Sequence, residues 1–98
     1  MTLPAILSAE AEADLDEAAQ WYERRSPGLG FDLVARVRAS IGRIESTPDL
    51  YATVLGDLRR VPVKKFSYSV FYRVRADHID VVAILHNSRD PSVWESRN

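Results

Sequence analysis

The chain has 98 residues, 46% hydrophobic and 28% charged, with a net charge of −1 and no cysteine. That is the size and balance of one ordinary globular domain, here spanning 1–98, and it excludes a disulfide scaffold, a thiolate metal site and a disordered chain. No run approaches the ~18 apolar residues that cross a bilayer, and Met1-Thr2-Leu3-Pro4 lacks the basic start and apolar stretch of a signal peptide, so the expected location is the cytoplasm.

Leu3 to Leu7 reads as a short strand, and Pro4, which has no N–H to give, places it at a sheet edge. Ser8 is a candidate helix N-cap. The acids that follow (Glu10, Glu12, Asp14, Asp16, Glu17) suit the positive end of a helix dipole, and Arg24 and Arg25 suit its negative end. Ala11, Leu15, Ala18 and Tyr22 recur at helical spacing, and Ser26-Pro27-Gly28 stops the helix. A second helix is predicted over 30–45, with Phe31, Val34, Val37, Ile41 and Ile44 as its buried stripe and Asp32 paired with Arg36 one turn on. Ser46-Thr47-Pro48 ends it. The short link predicts an antiparallel helical hairpin, which cannot enclose its own apolar face and needs a lid.

The rest of the chain supplies the lid. After a turn at Gly56-Asp57, Leu58 to Lys65 alternates, with Val61 and Val63 on one side and Arg60, Pro62 and Lys64 on the other. Tyr68, Val70, Tyr72 and Val74 then alternate with Ser69, Phe71, Arg73 and Arg75, a period-2 strand with one apolar and one mixed, basic face. Ala76-Asp77-His78 is a turn. Ile79 to Leu85 is apolar except at Asp80, as in a central strand covered on both faces. Asn87 to Asn98 reads as a polar tail carrying Pro91 and Trp94. The expected fold class is α+β: a short N-terminal edge strand and an antiparallel two-helix hairpin on one face of a small, mainly antiparallel sheet.

Charge is unevenly spread. Residues 1–49 carry five Lys/Arg against nine Asp/Glu, residues 50–98 eight against five, and Leu58 to Ala76 holds six basic residues and no acid. The hairpin covers one sheet face. The other would present Phe71, Val82 and Ile84 beside Arg73 and Arg75, with Arg60 and Lys64 near, and an apolar patch ringed by cations is a binding surface for an acidic partner or a polyanion. The alternative is that the tail folds over that face through Val93 and Trp94. His78 and His86 stand at opposite ends of one strand, roughly 26 Å apart at about 3.3 Å per residue, and cannot share a metal ion. No phosphate loop or nucleophile triad is present, and no cofactor or metal is expected. Arg, Lys, Tyr and a histidine beside a sheet could hold a phosphate backbone or stabilise the charge that develops as a ribose oxygen attacks it.

Phe66-Ser67-Tyr68-Ser69-Val70-Phe71-Tyr72-Arg73-Val74, then Val82-Ala83-Ile84-Leu85-His86-Asn87-Ser88-Arg89-Asp90-Pro91 and Trp94, resemble the RelE/ParE superfamily of type II toxins. Ala13-Asp14-Leu15, Trp21-Tyr22 and Pro27-Gly28-Leu29-Gly30-Phe31 look like its ParE branch, the plasmid stabilisation proteins. The resemblance implies a growth-inhibiting toxin neutralised by a cognate antitoxin, with DNA gyrase as target, or ribosome-bound mRNA if the chain follows the RelE-type, metal-independent nucleases. A third possibility is an inactive module that only binds its antitoxin. At the nuclease positions Arg60 and Pro62 stand where RelE-type toxins have lysines, Ser69 replaces an arginine after Tyr68, Arg89 is kept, and Trp94 lies near the place of a C-terminal tyrosine. The candidate nuclease set is therefore Arg60, Lys64 and Arg89. The candidate target- or antitoxin-binding set is Arg60, Lys64, Phe71, Arg73, Arg75, Val82, Ile84, His86, Arg89 and Trp94.

Overall fold

A computed structural model describes residues 2–97. The N-terminal strand β1 (Ala5–Leu7) leads into helices α1 (Ala9–Arg25) and α2 (Leu29–Ser46). The strands β2 (Thr53–Leu55), β3 (Leu58–Pro62), β4 (Tyr68–Val74) and β5 (Ile79–His86) follow, then a short helix α3 (Pro91–Glu95). The sheet order is β1-β5-β4-β3-β2, with β1 parallel to β5 and every other pair antiparallel. The expected α+β architecture is what the chain adopts, with β1 at an edge. Two elements were not anticipated: β2, whose three residues are all exposed, and α3.

Local chemistry sets the helix ends as expected. Ser8 Oγ accepts the Ala11 N–H at 3.0 Å and starts α1. The turn into α2 is built by Glu23, whose two carboxylate oxygens accept the N–H groups of Gly28 (2.8 Å) and Gly30 (3.0 Å). Gly28 has a φ of 89°, in the left-handed region glycine tolerates. Gly30 lies so close to α1 that a Cβ there would stand 2.4 Å from the Ala19 carbonyl oxygen. That close approach turns α2 so that Gly30, Leu33, Val37, Ser40 and Ile44 face inward. Phe31, expected in the buried stripe, is 79% exposed, a correction of one residue in helical phase.

The main core lies between the hairpin and the sheet. Ala11, Ala18, Leu33, Val37 and Ile44 meet Val61, Val63, Val70, Tyr72, Ile79, Val81 and Ile84. Its polar groups are matched: the buried Tyr72 hydroxyl donates to the Pro48 carbonyl at 2.6 Å, and burial pushes its pKa up to about 12. Along β1, the Leu3 N–H reaches the Glu45 carbonyl at 3.1 Å and the Ala5 N–H the Glu45 carboxylate at 2.8 Å.

The second sheet face is not open. Leu58, Phe71, Val82, Ala83 and Leu85 form a second buried cluster, against which Val93 and Trp94 of α3 pack. Phe71 is 2% exposed, Val82 6% and Arg73 6%, so the expectation of an uncovered patch is corrected in favour of the tail folding over it. Ile84 does not belong to this face at all. Between Tyr72↔Val81 and Phe71↔Ala83 the pairing gains one residue on β5, a bulge at Val82 that reverses the side-chain phase beyond it and sends Ile84 to the helices.

Candidate functional site

Two features of the C-terminal half concentrate chemistry: the face under α3, and a cleft between α1 and the end of β5. On the α3 face, Trp94 stacks on Phe71 with ring centroids 5.1 Å apart and planes at 21°. The Arg60 guanidinium lies 5.5 Å from the Phe71 centroid, within cation–π range. Arg60 is also tied down: Nε donates to Ser69 Oγ at 3.1 Å and Nη2 to Asn87 Oδ1 at 3.0 Å, while Ser69 Oγ donates to the same Asn87 oxygen at 2.6 Å. At the other end of the face, Arg73 Nε donates to Asp57 at 2.7 Å, and this guanidinium holds the Asp57 carboxyl below its usual range. Arg73 Nη2 is buried with no hydrogen-bond partner. Arg75 approaches Asp80 at 3.7 Å, and Lys64 is exposed beyond the end of β3.

The cleft, of about 110 Å³, is lined by Asp14, Glu17 and Trp21 of α1 and by Tyr68, His86 and Arg89. Its walls follow from the fold: β1 ends at Leu7, paired with Val81, so beyond that point no strand pairs with the outer edge of β5, and α1 packs beside it. Asp14 bridges the gap, accepting the Ile84 backbone N–H at 3.0 Å and the Arg97 guanidinium at 2.5 and 3.1 Å. The Tyr68 ring meets His86 edge-on at 5.3 Å. Burial, then the neighbouring Tyr22 and Glu17, raise the Tyr68 pKa, so its phenol keeps its proton at neutral pH and is a donor there, not a base. The Ser88 N–H donates to His86 Nδ1 at 3.0 Å, which leaves the neutral ring's proton on Nε2. Among the described residues Arg89 makes no ion pair, because Asp90 instead caps α3 by accepting the Ser92 N–H at 2.9 Å.

The predicted residues therefore divide. Arg60, Phe71, Arg73, Val82 and Trp94 gather on the α3 face, with Arg75 at its margin. His86 and Arg89 line the cleft on the α1 side. Arg60 and Arg89, two members of the nuclease set, open on different sides of the β4–β5 end, and Lys64 lies in the loop that follows β3. Sequence reasoning missed Arg97, and it gave Asp14 no role beyond that of one more acid at the positive end of a helix dipole. The available signal was spacing: Asp14 stands between Ala11 and Ala18 on the stripe that turns inward.

Among the described residues no group of three or more His, Cys, Asp or Glu is placed to hold a metal ion. Comparison with known proteins places these features in context. The family described as "ParE toxin of type II toxin-antitoxin system, parDE" matches residues 5–91. Toxin ParE2 of Mycobacterium tuberculosis, in the CDC 1551 and H37Rv strains, is 30% identical over 90 residues, covering 87% of this chain and 82% of the relative. A solved chain titled "Chromosomal ParDE TA system from P. aeruginosa" superposes with a TM-score of 0.77 at 17% identity, over 87% of this chain and 96% of that one.

Proposed function

We propose that this chain, which belongs to the ParE toxin family of type II toxin–antitoxin systems, inhibits growth by binding DNA gyrase and is neutralised by a cognate antitoxin. The family carries the toxin role and the antitoxin partner. Action by binding rather than cleavage is supported by one observation above all: the nuclease set is dispersed. Arg60 is committed to Ser69 and Asn87 and faces α3, whereas Arg89 lies across the sheet end in the cleft. Metal-free phosphodiester cleavage needs a base, an acid and a charge stabiliser around one phosphate. Tyr68, held as a protonated phenol, does not supply the base.

On this reading the contact to the target is made by Arg89, which has no ion pair among the described residues and lines the cleft with His86. Both proposed targets act in the cytoplasm, and no described helix is long and apolar enough to cross a membrane. The test is gyrase supercoiling at stoichiometric excess of toxin. Inhibition is expected, with Arg89→Ala weakening it at least tenfold and added antitoxin reversing it. Untouched supercoiling overturns the target. A second reading, cleavage of ribosome-bound mRNA, draws on Glu17, His86 and Arg89 sharing the cleft, and message cleavage lost on Arg89→Ala would replace the first.

A further inference from the structure

The face beneath α3 is covered but incompletely satisfied. Its lid is a five-residue helix with no buried residue, too short to be stable by itself. It is held by Trp94 on Phe71 and by Arg97, which passes the edge of β5 to reach Asp14. The lid matches the apolar half of the face but gives no acceptor to the charged half, where Asp57 takes Arg73 Nε and leaves Nη2 without a partner. Arg73 projects from β4 two residues along from Phe71, hence on the same face, and its Nη2 is buried without an acceptor. Buried donors are nearly always paired, because an unpaired one loses its water and gains nothing in return.

We propose that α3 with Arg97 is a displaceable stand-in, and that the face beneath it docks a partner segment carrying an aromatic side chain close to a carboxylate. The aromatic ring replaces Trp94 on Phe71, and the carboxylate takes the vacant Arg73 Nη2. Arg60 beside Phe71, and Arg75 with about half its side chain exposed, extend the same positive rim. A segment able to satisfy both halves of the face has an advantage over a lid that satisfies one. This rests on the reading of the chain as an antitoxin-bound toxin and names the chemistry of the antitoxin segment. It is independent of whether gyrase is the target.

The experiment uses the full chain with Trp21→Phe, leaving Trp94 as the sole tryptophan. The probes are two ten-residue synthetic peptides of one sequence, each with a central phenylalanine, carrying either two glutamates or two glutamines beside it. The glutamate peptide should make Trp94 accessible to acrylamide and bind at least fivefold tighter than the glutamine peptide. Arg73→Lys, which keeps a cation for Asp57 but removes Nη2, should bring that ratio close to one. Arg97→Ala, which releases the lid, should tighten both peptides several-fold. The proposal is overturned if Trp94 stays shielded at saturation, if neither peptide binds the Arg97→Ala chain, or if Arg73→Lys leaves the ratio unchanged. Tighter binding of a single-stranded RNA decamer than of the glutamate peptide would also overturn it.

Discussion

The two faces of the sheet are sealed by different means. The first lies under two helices of 17 and 18 residues, and the polar groups that enter it, such as the Tyr72 hydroxyl, find partners. The second lies under five residues, one aromatic stack and one ion pair at the margin, and it keeps an unmatched guanidinium nitrogen inside. Burial alone makes the two look alike. Completeness of hydrogen bonding separates a face that holds the fold together from one arranged for exchange with another molecule.

Substitutions can break this contrast or sharpen it. Ile44→Ala, at a fully buried position of the first face, should cost about 2–5 kcal/mol in urea unfolding, since a cavity there cannot collapse between helix and sheet. Trp94→Ala, on the second face, should cost only about 1–2 kcal/mol, the loss of a partly buried stacked ring. Its larger effect should be on dye binding, because Phe71 and Leu85 are uncovered while the fold survives. If Trp94→Ala proves as costly as Ile44→Ala, the lid is core and the contrast fails. Tyr72→Phe should be smallest, roughly 1 kcal/mol at neutral pH for one hydrogen bond. Its pH signature is distinctive. Burial raises the folded-state pKa from 10.0 to about 12, so the protonated phenol's contribution is complete below pH 10 and is lost as pH rises from 10 toward 12. Wild type should lose stability more steeply than Tyr72→Phe across that window.

Much of this architecture was legible because its signals are local. Ser8, Pro27 and Pro48 mark helix ends by chemistry that acts within a turn, and the alternation in 58–62 and 68–74 reports a sheet with two unlike sides. What escaped depends on contacts far apart in the chain. Phe31 turned outward because Gly30 meets the Ala19 carbonyl, a contact between two helices. Ile84 changed faces because a bulge leaves no mark in an unbroken apolar run. That same run, apolar on both faces, already implied cover on both, and the cover was the tail that polarity suggested was loose. Its cap was visible in Asp90-Pro91, an acid followed by a proline at the first helical position. Strand phase put Arg60, Phe71, Arg73 and Val82 on one sheet face, as the structure has them, but misplaced Ile84 and gave no sign that the face is covered. Hydrogen bonds such as Arg60 to Asn87, 27 residues apart, have no sequence pattern.

The treatment of the sheet margins bears on how this chain behaves at high concentration. Open strand edges template aggregation, and here each is blunted differently. Along β1, Glu45 occupies the backbone donors of Leu3 and Ala5, with Pro4 between them, so no incoming strand can use them. At the opposite margin β2 is three residues long and its pairing with β3 is irregular between Thr53 and Leu55. Leu50, Val54 and Leu55 nonetheless leave apolar surface there, so this margin is guarded by brevity and irregular pairing alone, with no side chain among the described residues occupying its backbone donors as Glu45 does along β1.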